Sequence, residues 1–238
     1  MVCFSSESSV KELLYLFFKT QKIFVRMKKI NGNHIKEKEN PELIYVYDAL
    51  CGWCYGFSPV ITRLKQELDQ QLDFLVLSGG MVRGDNIALV SSMYDFLKKT
   101  SEEVESATGV SFGSDFLNGV LEDPDAILNS EPAALAMAAF RLEKKDQAVD
   151  YAAAIQKAIY FDGMHTDDMG GLARLAERFG ISKDWFDKTI TDSEVLQIVE
   201  NEFNMIAKMG VKGFPTLMLR KGEDMEVISR GYKSYQQI

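Results

Sequence analysis

At Glu42 the chain enters an apolar run, ELIYVYDAL, which follows Pro41 and reads as a buried β-strand. In SPVITRLKQELDQQ (58–71), Val60, Leu64 and Leu68 then recur at helical spacing, with Ile61 beside them. A second buried-strand pattern, LDFLVLSGG (72–80), follows at once. Strand, helix and strand within about forty residues make a βαβ unit, whose two strands are predicted to be parallel. From about Asp85 to Met209 the pattern becomes almost entirely helical. EPAALAMAAFRLEKK (131–145) places Pro132 in a first turn, and DQAVDYAAAIQKAIYFDG (146–163) ends on a stop glycine. GGLARLAERFG (170–180) closes on Gly180, and SKDWFDKTI (182–190) opens on an N-cap serine. TDSEVLQIVENEFNMIAKMG (191–210) carries acids in its first turns, favourable to the helix dipole. Strand patterns return in FPTLMLR (214–220) and MEVISRG (225–231), and the glycine-containing turn between them predicts an antiparallel hairpin. The final YKSYQQI reads as the opening of a helix cut short. The expected organisation is an α/β core from residues 41–84 and 210–238, a helical insertion at 85–209, and an extension at 1–40.

Composition narrows the function. Hydrophobic residues make up 46% of the 238 positions and aromatics 11%, enough for a packed core. The net charge of −8, from 27 basic and 35 acidic residues, argues against a nucleic-acid binder. The charge is uneven: residues 1–40 carry a net of +4 and the remainder −12. The longest uncharged apolar run in that basic leader, LLYLFF (13–18), falls short of the roughly 7–15 residues of a secretory core. No stretch approaches the ~20 apolar residues of a membrane span. MKKINGNH from Met27 reads as an ordinary protein start, so residues 1–26 are either a true extension or an upstream misreading of the start. The expectation is a soluble cytoplasmic chain with no membrane partner.

Within ALCGWCYG (49–56) lie two of the three cysteines, too few for a disulfide framework. In a reducing compartment a close pair is catalytic or metal-binding more often than structural. Cys51 falls at the junction of strand and helix, where free backbone N–H groups favour a thiolate. Cys54, three positions along, returns to the same helix face and is placed to attack a mixed disulfide formed at Cys51. A structural zinc site needs four ligands. The remaining candidates are Cys3, His34, His165 and carboxylates, with no second C-x-x-C and no H-x-x-x-H, and an inert pair is the third reading. The βαβ setting favours redox chemistry, with no metal and no organic cofactor. Trp53 either packs beside the pair or shapes the surroundings of the thiol.

A second motif is GVKGFPTLML (210–219), in which Pro215 precedes a strand. It is either an ordinary strand-leading trans proline or a cis Phe214–Pro215 unit that turns backbone groups toward the sulfurs, for an extended substrate to pair with. The glycine-rich SGGMVRGDN (78–86) lacks the Gly-Lys-Ser/Thr of a P-loop and reads as a loop leaving the second strand, where Gly79 and Gly80 could also line a cleft. His165 reads as a solvated loop residue.

The order β–CGWC–α–β, helical insertion, GVKGFPT and β-hairpin resembles the thioredoxin-fold DsbA family. Within that family the chain is most similar to the cytoplasmic FrnE-like branch, matching it also in IQKAIYFDGMHTDD (155–168) and in GLARLAERFGIS followed by WF. The resemblance covers about residues 42–238. It implies a thioredoxin-like core with a helical insertion and a thiol–disulfide oxidoreductase or isomerase acting on protein thiols and disulfides. Cys51 and Cys54 would be its redox pair and Pro215 its cis-proline, with Phe214 and Trp53 against substrate. Glutathione or a thioredoxin-type protein would be its reductant. Two departures stand out. The dipeptide between the cysteines is Gly52-Trp53 and lacks the Pro-His of strongly oxidising members. The position of the buried acid common in thioredoxin-like proteins is Tyr45, and Asp48 is left outside the catalytic set. The alternatives are a chaperone-like peptide-binding protein and a glutathione-dependent small-molecule transferase or isomerase of the kappa type, against which Cys51 argues because that branch carries serine there.

Overall fold

The computed structural model of the chain describes residues 40–238. The basic leader, with Cys3, Met27 and His34, lies outside the described residues. Strand β1 (Glu42–Tyr47) and strand β2 (Asp73–Ser78) are parallel, joined by helix α1 (Gly52–Leu68). β1 is buried along its whole length, as the apolar run from Leu43 to Tyr47 requires of a strand covered on both faces. Glu42, at its start, is buried in ion pairs with Arg220 and Lys145. Its other neighbour is the antiparallel β5 (Thr216–Lys221), which pairs in turn with β6 (Asp224–Arg230). The sheet order is therefore β2-β1-β5-β6. The β5–β6 register shifts between Leu217 and Met218.

Side-chain alternation divides the sheet between two covers. Leu43, Tyr45 and Tyr47 face α1, whose Phe57, Ile61 and Leu64 share their core. Ile44, Val46, Leu75, Leu77 and Met218 face the opposite way, onto Met205 and Ile206. Those two belong to helix α7 (Ser193–Lys208). Fully burying one such side chain contributes about 1.5–3 kcal/mol, so both covers are strongly held.

Between β2 and β5 run six helices: α2 (Tyr94–Thr108), α3 (Glu131–Lys144), α4 (Ala148–Tyr160), α5 (Met169–Glu177), α6 (Lys183–Ile190) and α7. Ser182 and Asp192 cap α6 and α7 by accepting from Trp185 N and Glu194 N. The segment is less uniformly helical than its sequence suggests. A two-residue ladder pairs β3 (Ala88–Leu89) with β4 (Ile127–Leu128), and Phe116–Val120 forms a π-helical turn. Helix α7 also faces two ways. Its Val195, Val199 and Phe203 pack on Ala134 and Ala138 of α3, while Met205 and Ile206 serve the sheet. After β6, Tyr235–Gln237 forms a 3-10 turn behind a Ser234 capping box. Among the described residues no helix is long and apolar enough to cross a membrane.

Candidate active site

β1 ends at Tyr47, and the turn that follows delivers Cys51 to the N-cap of α1 with extended backbone (φ −88°, ψ 105°). Its sulfur accepts from the Cys54 N–H at 3.3 Å. No acidic residue lies in the first turn of α1 to oppose an anion there. Both cysteines are free thiols. Cys51 is 7% exposed and Cys54 0%, so a substrate meets Cys51 first. Burial pushes the Cys54 thiol well up, the adjoining Cys51 adds to the rise, and a backbone contact from Asp48 pulls the other way. A fully enclosed, reluctant thiol behind a slightly exposed thiol at a helix start suits sequential attack.

The far loop closes on the same sulfur. The Cys51 thiol lies 3.5 Å from the Phe214 carbonyl oxygen as its donor, across 163 positions of sequence. The Phe214–Pro215 peptide bond is cis, and Pro215 is buried while Phe214 is half-buried. The Phe214 ring lies over Gly79, where a Cβ would come within 2.2 Å of it. Gly79 is thus a seat for Phe214. Gly80, at φ +66°, lies against the Phe203 ring. Trp53 is half-buried and tilts against Tyr232, 6.1 Å between centroids. Cys51, Cys54, Trp53, Phe214 and Pro215 are accordingly brought to one end of the sheet, from α1 and from the loop entering β5.

Behind the pair lies a polar frame centred on Asp48, the residue that the sequence left outside the catalytic set, and its partners Ser130 and Gln156 were not foreseen. Asp48 is 1% exposed. Its carboxylate accepts from Leu50 N (2.9 Å), Met81 N (2.7 Å) and Ser130 Oγ (2.9 Å). Burial raises its carboxyl, and these donors hold the rise in check. The frame ties the turn before Cys51 to the exit of β2 and the start of α3. Gln156 of α4 donates to the Asp48 carbonyl at 3.3 Å and accepts from Ser58 Oγ of α1 at 2.8 Å. In the same stretch of α4, Tyr160 stacks on Tyr55 at 5.2 Å. The one signal available beforehand was that stretch itself, IQKAIYFDG, in which a polar Gln156 interrupts an apolar face.

His165 stands apart from the site, 3.4 Å from Asp123 and 41% exposed. Among the described residues no group of three or more His, Cys, Asp or Glu side chains is arranged to hold a metal ion.

Comparison with known proteins agrees with this geometry. The family described as DSBA-like thioredoxin domain matches residues 42–237. A structure from Nitrosomonas europaea, provisionally named a protein disulfide isomerase, is 29% identical. It covers 84% of this chain and 94% of its own, with a TM-score of 0.75. The cytosolic disulfide reductase DsbM from Pseudomonas aeruginosa is 26% identical, covering 79% of this chain and 89% of its own at a TM-score of 0.68. DsbM is also known with glutathione (GSH). Among curated proteins, the ClpXP adapter protein SpxH of Bacillus subtilis is 21% identical over 184 residues, 77% of this chain. The chain spans 60% of the length of that relative.

Proposed function

The chain belongs to the DSBA-like thioredoxin domain family, and from that premise we propose the division of labour in its thiol–disulfide exchange. Cys51 is the nucleophile and Cys54 the resolving thiol. The observation that carries this assignment is the contrast between the two sulfurs. Cys51 sits at the helix N-cap with 7% exposure, whereas Cys54 is fully enclosed with its thiol pushed up by burial. Cys51 attacks a substrate disulfide and releases one substrate thiol. Cys54 then attacks the Cys51 sulfur and releases the other. Two electrons pass to the substrate, and the chain is left with a Cys51–Cys54 disulfide for a reductant to reopen. Phe214 and Pro215 bound the substrate side of Cys51, and Trp53 flanks it.

The exchange runs in the reducing direction, with glutathione as electron donor, in the cytoplasm and on the FrnE-like branch of the family. Support comes from the Gly52-Trp53 dipeptide, which lacks a histidine to stabilise a thiolate, and from the likeness to DsbM, a cytosolic disulfide reductase known with glutathione.

Two measurements test this. Cys54→Ala is expected to accumulate mixed disulfides with substrate and Cys51→Ala is not; equal trapping by both contradicts the assigned roles. Equilibration in graded glutathione buffers is expected to give a reduction potential at or below about −200 mV, in the glutaredoxin-to-thioredoxin range. A value near −120 mV, typical of a strong oxidant, would overturn the reducing direction while leaving the roles intact.

A second reading, a binding protein that uses the same end of the sheet, is favoured by the likeness to an adapter protein. It requires partner capture undiminished in a Cys51→Ala, Cys54→Ala double variant.

A further inference from the structure

Among the described residues, two buried phenols, those of Tyr45 and Tyr47, lack a hydrogen-bond partner for their hydroxyls. Only Tyr45 is set against the redox pair. It is 1% exposed, with its ring held by Tyr47 at 5.5 Å and by Phe57 of α1 at 5.8 Å. Its hydroxyl lies within reach of the Cys54 thiol and has no other partner. A buried donor without an acceptor is unfavourable at rest, and it becomes favourable when negative charge develops beside it.

Two other groups bear on the Cys54 sulfur: the Asp48 backbone, which favours its thiolate, and the Cys51 sulfur, which opposes it. The Asp48 carboxylate already accepts from Leu50, Met81 and Ser130. The Cys51 sulfur accepts from Cys54 N and points toward the Phe214 carbonyl. Tyr47 faces Asp48, Tyr151, Arg141 and Glu202. Tyr160 of α4 is also buried near the pair, its ring packed on Tyr55, Phe112 and Phe116.

We propose that the Tyr45 hydroxyl is the side-chain hydrogen-bond donor that, beside the Asp48 backbone, stabilises the Cys54 thiolate as it resolves a mixed disulfide at Cys51. The proposal rests on the assignment of Cys54 as the resolving thiol. In that step Cys54 gives up its thiol proton and its sulfur bonds to the Cys51 sulfur. The bond between Cys51 and the substrate sulfur breaks, and the departing substrate thiolate takes up one proton. One thiol and one disulfide therefore become one disulfide and one thiol. Tyr45 keeps its own proton throughout, because burial and the nearby sulfurs hold the phenol well above its usual range. It remains a donor across the pH range in which the enzyme works.

The test mixes the reduced chain with oxidised glutathione and follows two phases: formation of the mixed disulfide at Cys51, then release of the second glutathione by Cys54. In Tyr45→Phe the second phase is expected to slow about tenfold, with the rising limb of its pH profile displaced by about one unit to higher pH. Alkylation of Cys51 in a Cys54→Ala background is expected to be the same with Tyr45 or Phe at that position. Tyr47→Phe removes the other unpaired hydroxyl and is expected to resolve like the parent. Unchanged resolution in Tyr45→Phe, or equal slowing in Tyr47→Phe, overturns the proposal. If the parent chain itself fails to release the second glutathione, the cysteine roles fall instead. A second measurement leaves Tyr45 in place. In Cys51→Ala, ionising Cys54 is expected to shift the near-ultraviolet tyrosine band together with the thiolate absorbance, and a thiolate signal with no tyrosine shift overturns the proposal.

Discussion

At the scale of single residues, the site depends on side chains that perform no chemistry. Gly79 is the clearest case, since a Cβ there would overlap the Phe214 ring at 2.2 Å. Gly79→Ala is expected to cost about 1–3 kcal/mol in urea denaturation through overpacking. It is also expected to lower the exchange rate with a peptide disulfide several-fold, because Phe214 carries the carbonyl that faces Cys51. A variant that keeps parental stability and rate would show that the ring moves aside freely. Asp48 is the complementary case, a carboxylate buried for its hydrogen bonds. Burial raises its pKa in the fold, so the folded chain holds the proton more tightly than the unfolded chain does. The stability this contributes is full below the ordinary carboxylate pKa of about 3.9 and is lost as pH rises through the raised value. The stability of the parent relative to Asp48→Asn, which does not titrate, is therefore expected to fall as pH rises from about 4. Urea midpoints of both chains at a series of pH values measure it, and a difference independent of pH would sink the idea.

At the scale of elements, legibility in the sequence followed the length of each pattern. β1 and β2 carry continuous apolar runs, α1 carries several turns at helical spacing and β5–β6 two strand patterns about a glycine-containing turn, and the structure has all of them. Cys51 and Cys54 were legible from their place between a strand and a helix. The β3–β4 ladder was not, because two residues per strand show no alternation. Tyr45 read as one more apolar position of a buried strand, and its unpaired hydroxyl emerges only from what surrounds it. Helix α7 was visible as a helix, but its second face needed the sheet. Glu202 illustrates why. In sequence it is one acid of an amphipathic helix, yet in the fold it is 2% exposed. It pairs with Arg141 of α3 and accepts from Ser78 N of β2, while Arg141 donates to the Val76 carbonyl. Removing one partner of a buried pair strands the other charge, so Glu202→Gln is expected to cost about 3–5 kcal/mol. An Arg141→Met, Glu202→Leu double variant is expected to recover most of that loss, because apolar replacement of both partners removes the stranded charge. Urea denaturation of the three chains decides it, and a double variant as unstable as the single one would mean that the pair does more than satisfy itself.

At the scale of the whole molecule, the helical segment and the sheet share one interior. A single core cluster runs from Tyr45 and Tyr47 of β1 through Phe57 of α1 to Phe140, Tyr151 and Phe186 of the helices. Polar ties cross the same boundary, from Gln156 to the Asp48 carbonyl and from Ser130 to the Asp48 carboxylate. Tyr55 of α1 donates to the Ser111 carbonyl at 2.9 Å. Helix α7 spans both parts, with α3 on one side and the sheet on the other. Loosening the helices would therefore expose the back of the redox helix and release the frame that holds the turn before Cys51. One cooperative unfolding transition follows from this, although the thioredoxin-like motif is interrupted in sequence by more residues than it contains. The chain carries its own reporters, because its two tryptophans fall one in each part, Trp53 in α1 and Trp185 in α6. In Trp53→Phe and in Trp185→Phe, the fluorescence of the remaining tryptophan is expected to change at the same urea concentration as the far-ultraviolet circular dichroism of that variant. If Trp185 reports unfolding at lower urea than the circular dichroism while Trp53 does not, the helices open separately and the redox end keeps its shape without them. Coincidence in both variants means that substitutions in the helical segment reach Cys51 and Cys54 through the shared core, and that stability and exchange rate fall together across that boundary.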